Sequence, residues 1–132
     1  MEITGLITVK SDHEPRETMD RLAEGVTSAG LTVFARIDHA RGAAQVHLPL
    51  RPTELLIFGN AQGGTPLMQF SQTIGIDLPL KALVWQDESG TTWIAYNDPR
   101  YLAARHNLPR EAKETADKMA HALAAVTAAA AR

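Results

Sequence analysis

The residues able to do chemistry sit where short apolar segments end. His39 follows Asp38 at the close of an alternating run over residues 31–38, and such ends commonly line sites. Asn60, Gly64 and Thr65 fall in LLIFGNAQGGTPLM (residues 55–68), where an apolar run passes through a glycine-bearing turn into a helix start. Backbone N–H groups presented that way can hold a carboxylate or a phosphate. Tyr96, Asn97 and Asp98 close another apolar run just before Pro99, and His106 stands some way beyond. His39 and Asn60 would supply hydrogen bonds, and the N–H groups of Gly64 and Thr65 would hold negative charge. In an enzyme, His39 would act as general base beside that anion hole.

Each motif also has a plainer meaning. The interval from Gly59 to Gly64 matches a phosphate-binding loop, but Thr65 stands where the phosphate-reaching lysine belongs, so nucleotide hydrolysis is excluded. Structurally, the same letters read as Thr65 at an N-cap, Pro66 at the first helical position, and glycines supplying positive φ. Asp98-Pro99 repeats this grammar, with Asp98 as the cap. The five histidines show no metal-ligand spacing, so no metal is expected, and no cofactor is implied. No serine lies in a G-x-S-x-G elbow. Glu14 with Glu17, and Glu111 with Glu114, are acids of first helical turns, where they complement the helix dipole.

Elements must position these residues. Alternation predicts strands over residues 2–10 and 31–38, and a continuous apolar run predicts a third over 54–58. A fourth (80–86) and a fifth (91–96) flank the hairpin loop Asp87-Glu88-Ser89-Gly90. Ser11 and Asp12 are cap residues for a helix whose first turn holds Pro15 and which Gly30 terminates. Residues 40–52 read as a loop with at most one helical turn. A short helix is expected over 66–74, another from Pro99 to His106, and a long one from Pro109 to the C-terminus, its last alanines frayed. The fold class is α+β, in the order β-α-β-β-(α)-β-β-(α)-α. An antiparallel sheet of about five strands would carry two main helices on one face. Several strands are apolar on both faces, so the bare face needs a cover, which a dimer partner or the loop over residues 40–52 would supply; a homodimer is favoured.

The totals narrow the partners. The chain has 132 residues, suited to a single domain. Its net charge of −2 and the lack of a basic cluster argue against nucleic acid. Cysteine is absent, which removes disulfides and thiolate chemistry. The uncharged stretch over 55–76 is interrupted by Gly59, Gly63, Gly64 and Pro66, so no membrane span is expected. With no signal peptide read at the N-terminus, the expected address is cytoplasmic.

Five blocks in order resemble the bacterial and archaeal family known as domain of unknown function 302. They are FARIDHA (34–40), LRPTELLIFGN (50–60), GTPLM (64–68), IDLPLKALVW (76–85) and YNDPRYLAARHNL (96–108). The resemblance covers about residues 9–108. It implies a TATA-binding-protein-like α+β fold, a curved antiparallel sheet with helices on one side, and frequent dimers. His39, Asn60, Gly64, Thr65, Tyr96, Asn97, Asp98 and His106 match the family's motif positions. Family members usually carry proline after the Gly-Asn pair, where this chain has Ala61. No established function comes with the resemblance. Three readings stand: a small-molecule or anion-binding module near His39 and residues 59–65, an enzyme using His39, and an interaction dimer without a ligand.

Overall fold

The computed structural model describes residues 2–132. Five strands form one antiparallel sheet in the order β1-β5-β4-β3-β2. They are β1 (Leu6–Ser11), β2 (Thr32–Asp38), β3 (Thr53–Gly59), β4 (Leu80–Gln86) and β5 (Thr92–Asn97). The long helices α1 (Pro15–Ser28) and α5 (Lys113–Ala131) pack on one face. Three shorter helices fill the connections: α2 (His39–Gln45), α3 (Ala61–Phe70) and α4 (Pro99–Arg105). The expected α+β architecture is therefore present, with one helix more than the pattern suggested.

Burial explains the layering. Leu56, Phe58, Ala82, Val84, Ile94 and Tyr96 point from the sheet toward Met19, Leu22 and Val26 of α1 and Leu123 of α5, and all are buried. α1 ends in a Schellman motif: Gly30 takes φ +84° and donates to the Thr27 carbonyl, while Leu31 N–H reaches the Val26 carbonyl at 3.0 Å. The opposite sheet face bears Leu55, Leu83, Trp85, Trp93 and Ala95, and no helix among the described residues packs across it. Trp85 and Trp93 pair across β4 and β5 with ring centroids 6.4 Å apart.

Several boundaries differ from the sequence pattern. β1 begins at Leu6, because Gly5 adopts φ +79° and breaks the extended run. Residues 39–45 are helical, capped by Asp38, whose carboxylate accepts from Arg41 N–H at 2.9 Å. α1 has Glu14 at its N-cap without a side-chain bond; Ser11 instead accepts from His13 N–H and meets the buried Thr18 hydroxyl at 2.7 Å. A 3-10 turn over Arg110–Ala112 precedes α5. The alanine tail of α5 is not frayed. Arg21 donates to the carbonyls of Ala129 and Ala130, Asp12 N–H donates to that of Ala131, and Ala130 and Ala131 are buried. These donors satisfy carbonyls that a helix end otherwise leaves unpaired.

Candidate functional site

β3 delivers the chain to Asn60, which is extended at φ −154°, ψ 159°. Its side-chain oxygen accepts from Gly63 N–H at 2.7 Å, and its carbonyl accepts from Gly64 N–H at 3.1 Å. Asn60 is therefore the N-cap of α3, which starts at Ala61. This corrects the assignment of Thr65 as cap and Pro66 as first helical residue: both lie inside the helix. Gly63 and Gly64 are helical too, and neither has positive φ. The physical reason is that Asn at a strand end caps as well as Thr does, and Asn60 comes first. The N–H groups of Gly63 and Gly64 are consumed by Asn60, so the expected anion hole at Gly64 and Thr65 does not form as drawn.

The same segment instead walls a cavity. α3, the end of β3, the residues before β4, and α5 enclose about 380 Å³. Its walls are mainly Phe34, Phe58, Met68, Leu78, Met119 and Val126, and Asn60, Gly64 and Thr65 stand along its α3 side. Such a volume is within the range of small-molecule sites. Gly64 keeps it open: a Cβ there would meet Leu78 Cδ1 at 3.6 Å and Met68 Cε at 3.7 Å. Lys118, exposed on α5, is also among its lining residues. Its contact with Glu114 is 3.5 Å between exposed groups, a weak pairing that leaves the ammonium available.

The other candidates do not join this cavity. β2 and β3 are antiparallel, with Thr32 opposite Gly59 and Asp38 opposite Glu54. His39 therefore stands at the far end of the sheet from Asn60, exposed at the start of α2. The expected convergence of His39 with Asn60, Gly64 and Thr65 is thus corrected by strand direction alone. Tyr96 is buried in the helix-side core. Burial pushes its phenol up, an effect the nearby Thr127 hydroxyl partly opposes. Asn97 is exposed, one residue further along β5 and so on the opposite sheet face, and neither of these neighbours lines the cavity. Asp98 caps α4, accepting from Arg100 N–H at 3.0 Å, as its position before Pro99 suggested.

His106 makes contacts that sequence spacing did not reveal. Its ring lies between Asp77 and Thr73, and Arg105 holds the other side of Asp77. The partners are separated from it by 29 and 33 residues, so only the folded chain brings them together.

An open five-stranded antiparallel sheet, two long helices on one face and a small apolar cavity at the β3–α3 junction define the class of protein. The chain belongs to the family described as "Domain of unknown function DUF302", which matches residues 7–126. The crystal structure of an uncharacterized conserved DUF302 protein from Bacillus stearothermophilus is similar, with a TM-score of 0.87 and 26% identity, covering 98% of this chain and 100% of that one. Among curated proteins, "Fluoride-specific ion channel FluC 1" of Brucella suis is 53% identical over 105 residues, 80% of this chain and 41% of that protein. The protein of the same name from Brucella abortus matches equally over 39% of its length. The chain thus spans about two fifths of these relatives. No helix among the described residues is long and apolar enough to cross a membrane.

Proposed function

We propose that this protein is a binding module for a small, mostly apolar molecule carrying one acidic group. The observation behind this is the cavity: about 380 Å³, apolar walls, and the Lys118 cation among its lining residues. Apolar surface would drive entry, and an acidic group would pair with the lysine. The anion of this reading sits on Lys118 rather than on backbone N–H groups. Ion conduction is not proposed for these residues. In the Brucella proteins we assign the channel of their name to the portion outside the match, with the matched portion as an appended binding module.

Titration with anilinonaphthalenesulfonate, an apolar probe with one sulfonate, tests this. Saturable one-to-one fluorescence enhancement is expected, displaced by medium-chain carboxylates. Ala122→Trp, which fills the cavity from α5, should abolish it, and Lys118→Gln should weaken it several-fold. His39→Ala should leave it unchanged. Absence of saturable binding, or equal binding in Ala122→Trp, would overturn the proposal.

A second reading concerns the uncovered sheet face. We propose that a second copy of this chain covers it, giving a homodimer. Five strands of about six residues present roughly 500 Å², short of the ~800 Å² per partner of a standard interface. The exposed Ile37 and Leu50 flank the face and extend it. Light scattering should give a dimer, and Trp85→Glu should give a folded monomer. A wild-type monomer at micromolar concentration refutes this reading.

A further inference from the structure

A second polar cluster lies outside the cavity, where a 3-10 turn over Gln72–Ile76 meets the C-terminal end of α4. Arg105 Nη1 contacts both oxygens of Asp77, at 2.9 and 2.8 Å. His106 Nε2 lies 2.6 Å from Asp77 Oδ2, and His106 Nδ1 lies 2.9 Å from Thr73 Oγ1. Ser71 Oγ is 3.0 Å from Thr73 Oγ1.

The hydrogens can be assigned by elimination. A carboxylate paired with Arg105 only accepts, so the hydrogen between it and the imidazole belongs to His106 Nε2. In the neutral form of the ring, the lone pair is then on Nδ1. In that form the Thr73 hydroxyl donates to the lone pair. Having used its hydrogen, Thr73 Oγ1 can accept from Ser71. Every bond in the row points the same way, from the surface hydroxyls toward Asp77. The side chains of His106 and Asp77 are 8% and 14% exposed, while Thr73 is open to solvent. A fastening between the turn and α4 would need only the His106–Asp77 contact. The arrangement supplies in addition a solvent-facing hydroxyl on the basic nitrogen of a ring held by a carboxylate, which is the geometry of an activated nucleophile.

We propose that Thr73 is an acyl-accepting nucleophile, with His106 as its general base and Asp77 as the positioning residue, acting on small activated acyl esters. Thr73 Oγ1 forms a bond to the acyl carbon while its proton passes to His106 Nδ1. The ester C–O bond breaks, and the leaving oxygen takes that proton. Water then adds to the acyl-threonine, giving its proton to His106 Nδ1; the Thr73 C–O bond breaks, Oγ1 recovers the proton, and a carboxylic acid is released. Charge on the imidazolium is stabilised by Asp77 throughout.

Incubation of the whole protein with p-nitrophenyl acetate tests this, with peptide mapping by mass spectrometry. An acetyl group on Thr73 and a stoichiometric burst of p-nitrophenol are expected. Thr73→Val should abolish the burst, and His106→Asn should slow it at least tenfold. Thr73→Ser should retain it, which separates loss of the nucleophile from loss of fold. The burst rate should rise with pH through one ionisation in the wild type, and Asp77→Asn should displace that profile, a readout that a merely structural Asp77 would leave unmoved. Acetylation confined to lysines, or acetylation of Thr73 at an equal rate in His106→Asn, would overturn the proposal.

Discussion

Replacing Asn60 and Thr65 separately by alanine distinguishes two accounts of the segment that walls the cavity. Asn60 caps α3 through a 2.7 Å bond from Gly63 N–H. Loss of such a cap costs about 1 kcal/mol. α3 has little reserve, because it contains Gly63, Gly64 and Pro66 within ten residues, each a poor helix former. For a chain of this length, about 1 kcal/mol lowers Tm by roughly 3–5 °C. Asn60→Ala should show that fall in far-UV circular dichroism melts. Asn60→Asp keeps the acceptor and adds charge favoured at a helix N-terminus, so it should melt near the wild type. Thr65 sits in the helix interior, where alanine is the better former; Thr65→Ala should change stability by less than about 0.5 kcal/mol. The reasoning is refuted if Thr65→Ala melts several degrees lower while Asn60→Ala does not. That result would place the helix start at Thr65 and free the N–H groups of Gly63 and Gly64 for an anion.

Three further outcomes follow from the same geometry. Gly64→Ala puts a methyl at ordinary contact distance from Leu78 and Met68, so it should raise Tm through helix propensity worth up to about 1 kcal/mol while weakening probe binding in the cavity. Gly5→Ala and Gly30→Ala share a positive-φ penalty of about 1–2 kcal/mol, but the Gly5 Cβ would fall on the Tyr101 ring whereas the Gly30 Cβ meets open space; chemical denaturation should therefore show a larger loss at Gly5, partly relieved in a Tyr101→Ala background. Asp87, held down to about 2 first by the Trp93 indole N–H and then by the Ser89 hydroxyl, stabilises the β4–β5 hairpin when ionised. Its folded pKa lies below the ordinary value of 3.8, so this stabilisation is complete above about pH 4 and is lost as pH falls toward 2; an acid titration of tryptophan fluorescence should be less steep in Asp87→Asn.

Much of the fold was legible because burial writes its period into the chain. β2, β4 and β5 fell within a residue or so of the runs that predicted them, and Gly30 marked the end of α1 as an αL residue should. α2 was missed for a definite reason: HARGAAQ buries none of its residues, so it carries no apolar stripe. It is held by the Asp38 cap and its place between two strands. The α3 boundary differs because Gly-Gly-Thr-Pro spells a turn and a cap, while Asn60 caps the helix five residues earlier. The separation of His39 from Asn60 could have been deduced. In an antiparallel pair the end of one strand lies beside the start of the next, so residues closing β2 and β3 must be at opposite ends. The array around His106 had no sequence signal, since its members lie in two separate connections, β3–β4 and β5–α5, whose meeting depends on how α4 docks.

Both candidate sites depend on one connection, the chain between β3 and β4. Its first half, α3, gives Gly64, Thr65 and Met68 to the cavity, and its second half gives Thr73 and Asp77 to the array. Leu78, next to Asp77, returns to the cavity wall. A direct β3–β4 hairpin would join the same strands without any of these groups. The extra chain is stabilised by its own small core, in which Leu67 and Ile74 pack with Leu102 of α4 and Ala112. That core seats Asp77 against Arg105 and His106 and seats Met68 and Leu78 at the cavity. Loosening it should therefore impair both sites at once, whereas Ala122→Trp should impair only binding and Thr73→Val only acylation. Ile74→Ala, which opens a void worth about 2–5 kcal/mol, is the substitution expected to couple them. If probe binding and Thr73 acylation responded independently to Ile74→Ala in a protein that remained folded, the connection would not be acting as one unit.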